Sequence, residues 1–235
     1  MNNVTIINKI EEYFKNRDIQ KLEDLVTDLK LDELNTSKKS KANISSFLKQ
    51  MIKDIPEARV AWKGTYKVNN KWQICDGYKL IEFKDENDKI AETFYNEKCS
   101  TNTISFDSIT NGLNFDRAIK IDMKLLNNIL KINKLDKRKP NTDKRPLFYI
   151  IEETMEGMNS KWLYDILQFC ETDTIYASNC KNAPYKITSD KYNCIMLPIR
   201  LMENIDTDEK KAKLIQDIKD YTNGKITEFI EVRDR

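Results

Sequence analysis

The chain has 235 residues, 40 of them Lys or Arg and 38 Asp or Glu, for a formal net charge of +2. Histidine is absent, which excludes Ser-His-Asp and Cys-His nucleophile systems, H-E-x-x-H zinc sites and Cys2His2 fingers. The length suits one large domain or one domain with extensions, and no apolar run approaches the roughly 18 residues that span a bilayer.

Two amphipathic helices are predicted at the start. Ile6, Ile7, Ile10, Tyr13 and Phe14 recur at helical spacing; Asp18 then caps a second stripe of Ile19, Leu22, Leu25, Val26 and Leu29. Each stripe needs burial, so a helical hairpin docked on the body or on a partner is expected. The polar run NTSKKSK (35–41) reads as a linker. A third helix is predicted over 43–54, with Ile44, Phe47, Leu48, Met51 and Ile52 on one side and Pro56 as its stop.

The period then changes. VAWKGTYKV and KWQICDGYKLIEF are rich in β-branched and aromatic residues and are separated by Asn69-Asn70, which predicts a hairpin, with Asp76-Gly77 as a second tight turn. Residues 84–118 are weakly patterned, with strands expected at 90–95 and 103–106. Asp122 caps a fourth helix, followed by a loop over 133–146. Nine basic residues against three acidic ones fall between Lys120 and Arg145. Next come the strand LFYII, a turn around Gly157 and a helix opened by Asn159. Strands TIYAS, YKIT and NCIMLPIRL follow, then a helix over 206–222 and a strand, ITEFIEV. Short connections between strands predict antiparallel pairing in an α+β fold. Five well-separated glycines exclude a glycine-rich phosphate loop. Cys75, Cys99, Cys170, Cys180 and Cys194 show no C-x-x-C spacing, so reduced thiols are expected, with no metal and no cofactor. The N-terminus lacks the basic start and apolar stretch of a secretory signal, so a cytoplasmic location is expected.

Two stretches resemble the bacterial DNA sliding clamp, the DNA polymerase III beta subunit family. In residues 157–201, Asn159, Trp162, Leu163, Asp165 and Leu167 fit an Asn-x-x-Tyr-Leu-x-Asp-x-Leu helix. Pro184 fits a middle strand, and Met196 to Leu201 fits a Met-Pro-x-Arg-Leu ending with one extra residue. In residues 58–83, Arg59, Gly64, Asp76, Gly77 and Leu80 fit a segment ending Thr-Asp-Gly-His-Arg-Leu, with Cys75, Tyr78 and Lys79 as departures. The likeness spans residues 40–201. A clamp subunit holds three such domains and closes a ring, whereas this chain holds about one. It therefore resembles a shortened, clamp-like protein of the kind carried by phages and other mobile elements. The expected division is an N-terminal helical extension (1–40), a clamp-type α+β domain of helices on antiparallel sheets (41–203), and a C-terminal helix and tail (204–235).

The resemblance implies a non-enzymatic replication or repair accessory protein that meets duplex DNA through basic helix faces, without reading sequence. The implied cations are Lys49, Lys53, Lys120, Lys124, Lys131, Lys134, Arg138, Lys139 and Lys161; the alternative is ordinary solvated helix faces. It also implies a surface for peptides of replication or repair proteins, from Gly77, Tyr78, Leu80, Asn159, Trp162, Pro198, Ile199, Arg200 and Leu201. The alternative there is that Leu80, Ile199 and Leu201 are core strand residues and Gly77 serves its turn. Both motifs occur once in what reads as one domain, which predicts two separated surfaces rather than one pocket. The remaining alternative is a protein-interaction module binding host replication or defence proteins without DNA. The clamp-like form would work as a homo-oligomer or as a partner-bound monomer, and a monomer favours the interaction module. Catalysis is not expected, because no nucleophile-base pair or metal cluster is visible.

Overall fold

The computed structural model describes residues 3–19, 21–22, 25–26, 44–99, 104–136, 147–199 and 207–222. The expected linker at 35–41, the strand at 226–232, and Arg138, Lys139, Arg200 and Leu201 lie outside the described residues.

Helices and strands alternate in an α+β fold. The helices are α1 (Asn3–Lys15), α2 (Ile44–Asp54), α3 (Lys89–Thr93), α4 (Phe106–Thr110), α5 (Met123–Asp136), α6 (Ser160–Phe169) and α7 (Asp208–Thr222). The strands are β1 (Tyr66–Val68), β2 (Lys71–Cys75), β3 (Lys79–Phe83), β4 (Arg117–Lys120), β5 (Tyr149–Ile151), β6 (Glu156–Met158), β7 (Thr174–Ala177), β8 (Tyr185–Thr188) and β9 (Tyr192–Met196). Seven strands form one antiparallel sheet in the order β1-β2-β3-β9-β8-β7-β4, and β5-β6 form a separate hairpin. A helix followed by three antiparallel strands occurs twice, as α2-β1-β2-β3 and as α6-β7-β8-β9. The two units join where β3 pairs with β9, from Lys79 opposite Met196 to Phe83 opposite Tyr192.

The pleat explains how one sheet supports two cores. Ile81 and Phe83 of β3, with Cys194 and Met196 of β9, face a large core that includes Phe47 of α2, Leu126 of α5, Leu163 of α6 and Ile215 of α7. Alternate residues Leu80 and Ile195 face a smaller core with Tyr66 and Phe106. The helices α2, α5, α6 and α7 therefore share one side of the sheet, where Phe47 and Phe169 bring α2 and α6 together at 5.2 Å between ring centroids. On the opposite side Glu82 is buried but satisfied, accepting from Gln73 at 3.0 Å and Asn193 at 2.9 Å.

Several expectations are corrected. Residues 90–95 are not a strand: the Asp88 side chain accepts from the Ala91 N–H at 2.9 Å and caps α3 instead. No strand covers 104–106, because Ser105 and Ser108 form a reciprocal capping box that starts α4. Strand β4 has only Ile119 turned inward, which left no alternation to detect. Gly157 sits in β6, and the turn lies at 152–155. Asn133 continues α5 rather than opening a loop, because its amide brackets Leu147 in both directions, at 2.7 and 3.0 Å. The first helix leaves Ile7, Ile10 and Phe14 exposed, so that stripe is not buried against the described body; of the second stripe Leu25 is buried, while Ile19 and Val26 are exposed.

Candidate functional site

The Asp76-Gly77 turn is built locally. Asp76 Oδ1 accepts from the N–H groups of Tyr78 and Lys79, each at 2.9 Å, and the Asp76 N–H donates to the Lys79 carbonyl at 3.2 Å. Gly77 takes a φ of +92°, the left-handed region that a side chain disfavours. A Cβ there would also lie 3.0 Å from the Trp62 ring. After the turn, Lys79 points into the helix-covered side of the sheet. Its side chain is 1% exposed and ion-paired with Asp76, itself 7% exposed. The ammonium sits 3.7 Å from the centroid of the Trp162 ring and 5.9 Å from that of Phe47.

Trp162 is set from the other motif. Asn159 is the N-cap of α6, and its Oδ1 accepts from the Trp162 N–H at 3.1 Å. The Tyr78 ring lies 6.0 Å from Trp162, and Tyr78 is 56% exposed. The chain leaving β9 completes the cluster. Leu197 donates its N–H to the Tyr78 carbonyl at 2.8 Å, and Ile199 donates to the Gly157 carbonyl at 2.8 Å. The two motifs are therefore not separated: the turn, the start of α6 and residues 197–199 meet at one surface. Antiparallel pairing of β3 with β9 brings them there, because Lys79 at the start of β3 lies opposite Met196 at the end of β9.

Within that surface Tyr78 is exposed, and Gly77, Trp162, Pro198 and Ile199 are half-buried. Asn159 is occupied as a cap. Leu80 is buried in the smaller core and is not available to a partner, as its strand-core alternative holds. Sequence reasoning missed Trp62, whose ring flanks Gly77 and carries the Arg59 guanidinium at 5.3 Å. The signal was a tryptophan in a segment read as strand, which folds instead as a 3-10 turn over Glu57–Trp62.

The lysines divide. Lys53 on α2 and Lys124 and Lys131 on α5 are exposed, on helices covering the same side of the sheet, and Lys49 is half-buried. Lys120 lies at the sheet edge 3.3 Å from Asp173, whose carboxyl is held below its ordinary value by that hydrogen bond. Lys161 is ion-paired with Asp165 one turn away on α6. Asp165 is half-buried, and desolvation raises its carboxyl above the ordinary value. Lys134 belongs to α5, with its side chain outside the described residues.

Burial pushes the Cys75 thiol up to about 11 and the Tyr149 phenol up to about 12, so neither is an activated nucleophile. Among the described residues, no group of three or more acidic or cysteine side chains is arranged to hold a metal ion. Among the same residues, no helix is long and apolar enough to cross a membrane. No family model matches this chain, and neither a curated protein nor a solved structure does so.

Proposed function

We propose that the chain is a non-enzymatic, clamp-type accessory protein of DNA replication or repair, acting in the cytoplasm. It recruits a partner protein at the Tyr78–Trp162 surface and meets duplex DNA with its helical layer. The observation that carries this reading is the junction of the Asp76–Lys79 turn with Trp162 and residues 197–199. Two segments that resemble clamp motifs, far apart in the chain, share hydrogen bonds and a ring contact there. An exposed tyrosine beside a half-buried tryptophan suits a partner anchor, since such residues dominate binding energy at interfaces. Lys53, Lys124 and Lys131 are exposed on helices covering one side of the sheet, as a phosphate-facing layer requires.

The second reading is a protein-interaction module that binds no DNA. It is favoured by the carboxylates beside Lys120 and Lys161, which offset two of the implied phosphate contacts. Fluorescence anisotropy with a labelled duplex separates the two. The clamp-type reading expects weak binding that fades as salt rises, with a log-log slope lowered by about 2 in Lys124→Glu/Lys131→Glu. Salt-independent binding, or an unchanged slope in that variant, overturns the DNA half of the proposal.

A further inference from the structure

Cys170 and Cys194 come from different elements and meet inside the large core. Cys170 is the C-cap of α6, its N–H bonded to carbonyls of that helix's last turn. Cys194 lies at the middle of β9, paired with Ile81 on one side and Ile187 on the other. Their sulfur atoms are 3.8 Å apart, and both residues are buried. Sulfurs in van der Waals contact need only side-chain rotation and a small shift to reach bonding distance.

We infer that Cys170 and Cys194 form a reversible disulfide with hydrogen peroxide as oxidant, locking the end of α6 to the central strand of the sheet. One thiol attacks the peroxide and becomes a sulfenic acid, releasing water. The second sulfur then attacks the sulfenyl sulfur, a second water leaves, and the S–S bond forms. Two thiols have lost two electrons and two protons, and one peroxide has become two waters. The reaction is slow, because burial and the neighbouring Cys170 hold the Cys194 thiol well above its ordinary value and thiolate is the reacting form. The exposed Cys180 is oxidised first. The lock bears on the proposed partner surface, since the first turn of α6 carries Trp162.

The test uses Cys180→Ala, an exposed position whose replacement leaves the core intact. The four remaining thiols are counted in denaturant before and after prolonged peroxide treatment. The expected result is loss of two thiols, a mass decrease of about 2 Da, and one proteolytic fragment joining the Cys170 and Cys194 peptides, all reversed by dithiothreitol. The oxidised protein should melt higher by roughly 5–10 °C, since the cross-link restricts the unfolded chain. Four thiols persisting after treatment prolonged at least a hundredfold beyond full oxidation of Cys180 in the parent overturns the inference, about a hundredfold being the allowance for the slow buried thiols. So does thiol loss with added oxygen, or a linkage joining any other pair. The peptide map needs no core substitution, so the readout does not depend on a variant that fails to fold.

Discussion

Replacing Asp76 with Asn isolates the charge of the buried Asp76–Lys79 pair. The amide keeps an oxygen for the Tyr78 and Lys79 N–H groups, now at 2.9 Å, so the turn is not confounded. What remains is an ammonium on a side chain 1% exposed, without its counter-charge. The Trp162 ring at 3.7 Å offsets about 2 kcal/mol of that cost. Breaking one side of a buried pair typically costs about 3–5 kcal/mol, and Asp76→Asn should fall in that range. Adding Lys79→Met removes the stranded charge and leaves an apolar chain under the same rings, so the double variant should recover at least half the loss. Urea unfolding followed by tryptophan fluorescence measures both, read as midpoint shifts at a common slope. A loss below about 1 kcal/mol for the single variant, or a double variant no more stable than the single, refutes the reasoning.

Gly77→Ala should cost about 1–3 kcal/mol in the same assay, because it combines a left-handed φ with a 3.0 Å approach to Trp62; a neutral result would contradict the turn geometry. Tyr78→Ala should change stability by less than about 1 kcal/mol while weakening capture of the partner at least tenfold, measured by calorimetry with that partner once isolated. The raised carboxyl of Asp165 makes a pH prediction. An acid whose folded pKa is raised holds more protons when folded, so its contribution is full below the ordinary value of 3.8 and falls as pH rises through the folded pKa. Asp165→Asn should therefore remove part of the stability lost between about pH 4 and neutrality, checked by urea midpoints across that range. Equal pH profiles for the two proteins would refute it.

The strongly periodic segments were legible. The stripe of α2, the capped starts of α5 and α6, and the Asn69-Asn70 hairpin are carried by local spacing and turn chemistry; both asparagines take positive φ, as a two-residue hairpin turn requires. Residues 84–118 were not legible. Short caps at Asp88 and Ser105 decide helix over strand there, against the β-branched and aromatic composition that suggested strands. The candidate site was half legible. Gly77, Tyr78 and Trp162 stood out as residue types within motifs, but their adjacency rests on β3 pairing with β9 across more than a hundred residues of chain, which no local pattern encodes. Trp62 was hidden for a local reason: its segment carries the β-branched and aromatic composition of a strand but folds as a 3-10 turn that sets the ring against Gly77.

If this chain meets duplex DNA as a clamp-type accessory, a light-scattering mass taken with and without a short duplex will register the complex. At about 50 mM salt the mass should exceed that of the free 27.7 kDa chain or its oligomer by one duplex, and return to the free value as salt rises several-fold. A mass indifferent to the duplex at low salt would contradict it.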